Sequence, residues 1–368
     1  MGPAKGGLEK YTERIASAFA DRGMRVNLLT SSSEPKLNSA LSVHCCKTVS
    51  WPPFLKIEQF DRFTRDWLQQ NKTDLIFGMD RNRMQTHIRA GNGVHAAYLD
   101  SRIASEGKWK RMICVLNPLH RKILEIEKAG FENPRLQKLF ANSHMVRNQI
   151  LSYYSVDSAK IQVVHNGVEW GEMQGDFERW EQGRAAAFAK YGLDPSRFHF
   201  LFIGNGYKRK GLDRLLEALA SLDVRDFYLS VVGKDKAIGS YRAKTVRLGL
   251  ESRVRFFGPR LDIRSFYQFA DALVIPSFYD PFANVTVEAL AMGLFTVSSK
   301  QNGGHEILTP ENGFVIEDLL DRDSLSVVLK AALARPKTPR SALKIRESVR
   351  HLDFSNQLNT LMDACLIT

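Results

Sequence analysis

Cysteine is scarce in this chain: there are four in 368 residues, and none sits in a CxxC or other zinc spacing. That count argues against a disulfide-built secreted scaffold and leaves Cys45, Cys46, Cys114 and Cys365 as reduced thiols. Cys45 and Cys46 are adjacent in a strand-like run, so they point to opposite faces. Long apolar runs are also missing; none reaches the ~18 residues needed to span a bilayer. The opening MGPAKGGLEKYTERIA has no apolar core of the kind a signal peptide carries, and the expected location is the cytoplasm. The nine histidines form no HExxH or HxH cluster, so neither a metal nor another cofactor is expected. There is no repeat of 20–50 residues and no low-complexity tract.

What is present is a chain too long for one ordinary core, with 44% hydrophobic and 25% charged residues, which fits two globular domains. Its formal charge is +12, and the excess is uneven. Residues 1–170 hold 25 basic and 16 acidic residues, so that half carries +9 and the remainder +3. A basic domain suits a polyanionic partner: nucleic acid, an anionic membrane or a phosphorylated substrate. A merely solvated basic face is the plain alternative.

Helix and strand patterns alternate throughout, which predicts α/β architecture with mostly parallel sheets. GGLEKYTERIASAFADRG is an amphipathic helix, with Leu8, Tyr11, Ile15, Ala18 and Phe19 on one face and Gly23 as its stop. MRVNLLTS, LSVHCC, DLIFGM, VHAAYL, KLFANS and KIQVVHNG read as strands of a first domain. FHFLFIG, DFYLSVVG, VRFFG, DALVIPS, LFTVSS and GFVIED read as strands of a second. The polar, acidic stretch around 169–185 reads as the linker. Two Rossmann-like domains in series would bind ligand at the carboxyl ends of their strands.

Three loops of the second half stand out. In FLFIGNGYKRKGLDRLLEALASL a strand runs into Gly204-Asn205-Gly206, then Tyr207-Lys208-Arg209-Lys210-Gly211, then a helix. Glycines admit close backbone approach, and three consecutive cations suit a diphosphate. The loop is neither a Walker A motif nor GxGxxG, and a solvated basic turn is an equal reading. In YDPFANVTVEALA, Asn284 and Val285 lie near a helix start whose amides can hold phosphate oxygens. Glu288 lies one turn on, and its carboxylate can accept two hydroxyls of a vicinal diol such as a ribose. Asp280, in the preceding loop, can take sugar hydroxyls beyond the phosphates; ordinary acids favoured by the helix dipole are the alternative. The third loop, NGGHEIL, offers Gly303 and Gly304. His95 in NGVHAAYL and Gly6-Gly7 stand out in the first half, though a lone histidine is more often structural. Asp321-Arg322-Asp323 reads as a helix cap rather than a metal motif.

Taken together, YDPFANVTVEALAMG, GNGYKRKGLDRLLEA, NGGHEIL and KLFANSHMVRNQI…KIQVVHNGVE resemble the family-four retaining glycosyltransferases of GT-B fold. The nearest subgroup by resemblance is the lipopolysaccharide core glucosyltransferase I type, which NGVHAAYL and LNPLHRKILEIEK also resemble. The resemblance covers nearly the whole chain. It implies an N-terminal acceptor-side domain over 1–170, a nucleotide-sugar-binding domain over 171–345, and a helix within 346–368 crossing back to the first domain. It implies that Arg209 and Lys210 grip the donor diphosphate, and that Asp280 and Glu288 form an E-x7-E pair on the donor sugar and the ribose. Asn284 and Val285 would supply amides near the phosphates, with Gly204 and Phe282 also lining the donor site. His95 would lie near the transferred sugar, and Gly6 and Gly7 on the cleft floor. Asp280 departs from the glutamate of the pattern and reaches less far. Relatives also carry a strand before the double glycine, so the first strand of the N-terminal sheet is expected to be missing from this sequence.

The implied reaction moves a hexose from a nucleoside-diphosphate sugar, UDP-glucose in the subgroup, to a hydroxyl of a glycan or glycolipid, with retention of configuration. Stabilising the leaving diphosphate falls to Arg209, Lys210 and the helix amides, by fixed electrostatics and without a metal. No carboxylate stands out as nucleophile, which favours a front-face mechanism. Lys108-Trp109-Lys110-Arg111, with Arg121 and Lys122, suits peripheral binding to the inner face of an anionic membrane. The competing readings are a nucleotide-sugar epimerase or phosphorylase of similar fold and a non-catalytic donor-binding remnant. A nucleic-acid partner is not expected, because the basic residues match no known aromatic-interleaved motif.

Overall fold

The structure, a computed structural model, describes residues 7–31, 41–79, 81–107, 113, 114 and 116–366. The chain forms two compact units, one of residues 1–164 with 358–368 and one of residues 165–357.

The second unit is built on six parallel strands: β7 (Phe198–Ile203), β8 (Phe227–Val232), β9 (Val254–Gly258), β10 (Ala272–Ile275), β11 (Phe295–Ser299) and β12 (Gly313–Ile316), in the order β12-β11-β10-β7-β8-β9. Every residue of β7, β10 and β11 is buried. This is why ALVI, and FHFLFI apart from His199, read as apolar runs without alternation: a parallel strand covered on both faces has no solvent side to alternate with. The strand order reverses direction at β7, which has β8 on one side and β10 on the other. The loops leaving β7 and β10 therefore diverge and open a crevice at their carboxyl ends.

Among the described residues the first unit carries its strands in two separate sheets. β1 (Val26–Thr30) pairs with β2 (Leu41–Cys45), and β3 (Phe77–Gly78), β4 (His87–Ala90), β5 (Lys138–Ala141) and β6 (Ile161–Val163) pair in sequence, all parallel. Among the described residues no ladder joins β1 to β3. Ile15 and Phe19 of the helix Gly7–Asp21 pack with Phe140 and with Leu361, Met362 and Cys365 of the C-terminal helix Phe354–Leu366. The expected stop at Gly23 adopts φ +81°, open only to a residue without Cβ at little cost.

Two sequence expectations are corrected. VHAAYL is not a strand: His95 is the first residue of the helix His95–Glu106, entered through Gly93 at φ +68°. Paired alanines favour a helix, and Val94 is the last β-branched residue before them. The strand lies just upstream, as HIRA in β4, where polar His87 and Arg89 mask it. The acidic stretch around 169–185 is not a linker. It forms the helices Gln174–Glu178 and Trp180–Tyr191, whose Phe177 and Trp180 join Met173 in the core of the second unit. Its acids are answered by Arg264, which bonds Asp176 at 2.9 Å and lies 3.6 Å from Glu169. Residues 173, 177 and 180 are spaced as one helical face, a signal the charges hid.

Candidate functional site

The loop after β7 is anchored at several points. Gly204 donates its amide to Val232 O at 3.0 Å, and Gly206 to Lys234 O at 3.2 Å. Tyr207 is fully buried, with its hydroxyl on Gly233 O at 3.0 Å and its amide on Asp235 at 2.7 Å. Gly211, at φ +76°, closes the loop against the segment leaving β10: a Cβ there would stand 1.8 Å from Pro276 O. Across that approach Phe278 donates its amide to Arg209 O at 2.9 Å. The two loops at the strand-order reversal are thus stitched backbone to backbone.

That stitching sets the side chains. Lys210 lays its stem over Gly204, where a Cβ would come within 3.0–3.3 Å of it. Its ammonium, buried, donates to Asp280 Oδ2 at 2.7 Å. Arg209 Nη1 donates to the same oxygen at 3.0 Å and to Tyr279 O at 2.8 Å. Asp280 is itself buried. Burial pushes its carboxyl up, Lys210 and Arg209 pull it down harder, and it ends below the ordinary aspartate value. The sequence places the two cations and the acid in separate tasks; the structure joins them in one cluster of two positive charges on one negative oxygen.

The loop after β11 completes the arrangement. Asp280 and Asn302 form a short parallel bridge, with Asp280 N on Gln301 O at 3.0 Å and Gly303 N on Asp280 O at 2.9 Å. Asn302 is fully buried. Its Oδ1 accepts from Ala283 N at 3.0 Å and Gly304 N at 3.1 Å, and its Nδ2 donates to Ser298 Oγ at 2.8 Å. Asn302 thereby holds the N-cap, Ala283, of the helix Asn284–Ala291. Sequence reasoning singled out the glycines beside it and missed Asn302. An asparagine before two glycines is a turn signature whose side chain seeks nearby amides, and it would have been the clue.

The helix Asn284–Ala291 has no side-chain cap of its own. Thr286 N turns back to Ala283 O at 2.9 Å, and Asn284 and Val285 are the first two residues of the helix, where amides have no partner within the helix itself. Asn284 is exposed, and its Oδ1 accepts from Asn166 Nδ2 at 2.7 Å. Half-buried Glu288 accepts from the hydroxyl of buried Tyr267 at 2.7 Å. Burial first, then the Glu288 charge and hydrogen bond, raise the Tyr267 phenol well above its ordinary value, so it stays protonated and donates to Glu288. Phe282 is buried against the His165 ring, and His165 Nε2 stands 2.9 Å from Glu306.

His95 lies in the other unit. Its amide donates to the buried Glu127 at 2.8 Å, and its Nε2 meets His120 Nδ1 at 3.1 Å. Glu127 also takes Arg81 Nε at 2.8 Å and the Tyr154 hydroxyl at 2.6 Å. Burial, then Arg81 and His120, pull the His95 imidazole down to about 3, so it is neutral at physiological pH. Gly7 opens the helix Gly7–Asp21, and Gly6 lies outside the described residues. Asp321 caps the helix Arg322–Leu333 by accepting from Asp323 N at 3.1 Å.

Comparison with known proteins sets this geometry in context. The family Glycosyl transferases group 1 matches residues 183–366, and Glycosyltransferase Family 4 matches residues 5–170. Lipopolysaccharide glucosyltransferase WaaG of Escherichia coli (strain K12) is 26% identical over 362 residues, spanning 97% of this chain and 93% of that protein. D-inositol 3-phosphate glycosyltransferase of Rhodococcus jostii (strain RHA1) is 25% identical over 381 residues, spanning 95% and 81%. Among solved structures, WaaG, described as a glycosyltransferase involved in lipopolysaccharide biosynthesis, superposes with a TM-score of 0.80 at 24% identity, covering 98% of this chain and 96% of that one. Anabaena Alr3699/HepE in complex with UDP-glucose superposes at 0.68 with 16% identity, covering 98% and 95%.

Proposed function

The chain belongs to the group 1 glycosyl transferases and has the GT-B fold, and from that premise we propose that it is a retaining, metal-independent hexosyltransferase. Its donor is a nucleoside-diphosphate sugar, with UDP-glucose the first to test, and its acceptor is a hydroxyl of a glycan or glycolipid such as a lipopolysaccharide core. The carrying observation is the cluster in which Arg209 and Lys210 share one oxygen of Asp280. One carboxylate against two cations leaves a net positive charge, centred on the loop that leads into the helix Asn284–Ala291. To that charge and the helix's first amides we assign the diphosphate, which gains negative charge as the sugar departs. Glu288, one turn along the same helix, suits the ribose.

In the reaction the bond from the anomeric carbon to the phosphate oxygen breaks. A bond from that carbon to the acceptor oxygen forms on the same face, and the acceptor proton passes to the leaving phosphate oxygen. His95 is given a place near the transferred sugar, where a neutral imidazole offers one donor and one acceptor to hydroxyls. Thermal-shift titration with a panel of nucleotide sugars tests the donor, since a ligand that binds only the folded state raises Tm. Transfer from the stabilising donor, with NMR of the product, tests retention, and unchanged turnover in chelator tests metal independence. Donor stabilisation without transfer to any glycan acceptor would support a binding protein instead.

An anionic membrane surface on the cytoplasmic side is the proposed place of work. Among the described residues no helix is long and apolar enough to cross a membrane. Residues 108–111 lie outside the described residues; Arg121 is exposed, while Lys122 is partly neutralised by Glu125 at 2.9 Å. Vesicle binding should weaken steeply with salt. Equal binding to neutral vesicles at high salt would sink this part of the proposal.

A further inference from the structure

We propose that Tyr267 is a positioning residue for nucleotide recognition, holding Glu288 in the one orientation that reads a ribose diol; this rests on Glu288 being the ribose ligand. Tyr267 sits on the helix Ile263–Phe269 and is completely buried. Its hydroxyl donates to Glu288 Oε2 at 2.7 Å. The tyrosine is itself held by its backbone. Lys337 Nζ, buried and 4.6 Å from the centre of the Trp180 ring, donates to Tyr267 O at 3.0 Å.

The terminal torsion of a glutamate is broad, so a half-buried carboxylate samples many planes. A diol, by contrast, needs both carboxylate oxygens facing two neighbouring hydroxyls at once. Pinning Oε2 with a buried donor fixes that plane before the ligand arrives. It does so without consuming the oxygen, because each carboxylate oxygen accepts more than one hydrogen bond. The phenol is suited to the task because it stays protonated, and toward an ionised carboxylate it can only be the donor. A buried tyrosine hydroxyl whose partner is a carboxylate on the ligand-bearing helix is more than core packing. It transmits the rigidity of the core to the edge of the site.

The test compares binding of UDP and 2′,3′-dideoxy-UDP by titration calorimetry. In the native protein UDP should bind more tightly, and Glu288→Gln should bring the ratio of the two affinities close to one. Tyr267→Phe, which removes only the hydroxyl, should lower that ratio by about five- to tenfold, as expected for one oriented charged hydrogen bond. With donor sugar, KM should rise while kcat at saturation stays within about twofold. A structural role alone would lower Tm and leave the ratio intact. If Tyr267→Phe melts too low to assay, 3-fluorotyrosine placed at 267 alone keeps the shape and alters donor strength, and should still move the ratio. An unmoved ratio in the Tyr267 variants beside a collapsed one in Glu288→Gln overturns the positioning role. A ratio unmoved by Glu288→Gln overturns the ribose assignment beneath it.

Discussion

Replacing Asp280 by Asn keeps shape and volume and removes one charge from the cluster on which the proposed activity depends. In the native protein Asp280 Oδ2 takes Lys210 at 2.7 Å and Arg209 at 3.0 Å. Lys210 is buried, with 9% of its side chain exposed, so its charge has no solvent to turn to. Arg209 is 38% exposed, and its share is screened and counts for little. Breaking a buried pair by removing one partner costs about 3–5 kcal/mol, chiefly for the stranded charge. Taking the lower end, because one cation is half in water, the variant should lose about 3 kcal/mol. For a unit of this size that is a fall of roughly 6–12 °C in Tm. Diphosphate should offset much of the loss, since its oxygens can take the place of the missing carboxylate. The Tm rise on adding UDP should therefore be larger in Asp280→Asn than in the native protein. Acid should reveal the same balance. The folded-state carboxyl is held below its unfolded value, so its contribution is present above the ordinary aspartate range and lost as pH falls through the lower folded value. The variant should lack that acid-limb loss. A ligand-free variant melting within 1–2 °C of the native protein (well below the fall just estimated) would refute the reasoning.

Gly211→Ala should be severely destabilising, on the order of 3 kcal/mol or more, because its Cβ would strike Pro276 O; Gly206→Ala, at a similar φ of +72° but in open space, should cost only about 1 kcal/mol. Equal losses by chemical denaturation would show that strain, not the close approach, governs Gly211. The His95 imidazole is lowered to about 3, so it favours folding above pH ~6.5 and withdraws that support as pH falls from there toward 3. His95→Gln should flatten the dependence of unfolding free energy on pH across that window, by up to about 1.4 kcal/mol per pH unit, and a parallel curve from denaturant titration would count against it. In hydrogen exchange, β1 should exchange much faster than β7, because β1 has one ladder neighbour among the described residues and β7 has two. Matched protection would mean that the β1–β2 pair is covered in solution.

The second unit was readable in the sequence because its central strands β7 and β10 are parallel and buried on both faces, so each appears as a bounded, mainly apolar run. β4 was not, since four residues with His87 and Arg89 among them carry no period. The helix at His95 was mistaken for a strand because six mostly apolar residues fit either. In the site, Arg209, Lys210, Asp280 and Glu288 stood out because each belongs to a local pattern of glycines, charge or helix start. Their pairing did not, because Lys210 and Asp280 meet across 70 residues. Tyr267 was invisible for the same reason. Nothing in IRSFYQF marks one aromatic as facing a carboxylate on the next helix.

Asn302 adds a chemical clock to the site. An asparagine followed by glycine can age through attack of the glycine nitrogen on the side-chain amide carbon, giving a succinimide and then aspartate or isoaspartate. In the folded protein Gly303 N is committed to Asp280 O, and Asn302 Oδ1 to the amides of Ala283 and Gly304. The nitrogen is engaged and the side-chain amide is held in place, so the two cannot meet until the bridge opens. The rate at which the peptide carrying Asn302 gains one mass unit on storage thus counts local openings of this corner, and a bound diphosphate should slow it. Once aged, the position would carry a carboxylate against the turn that steadies the helix start, or an extra backbone atom within it. Either product would take support from the helix start at a fully buried position, so old preparations should lose donor affinity and Tm together.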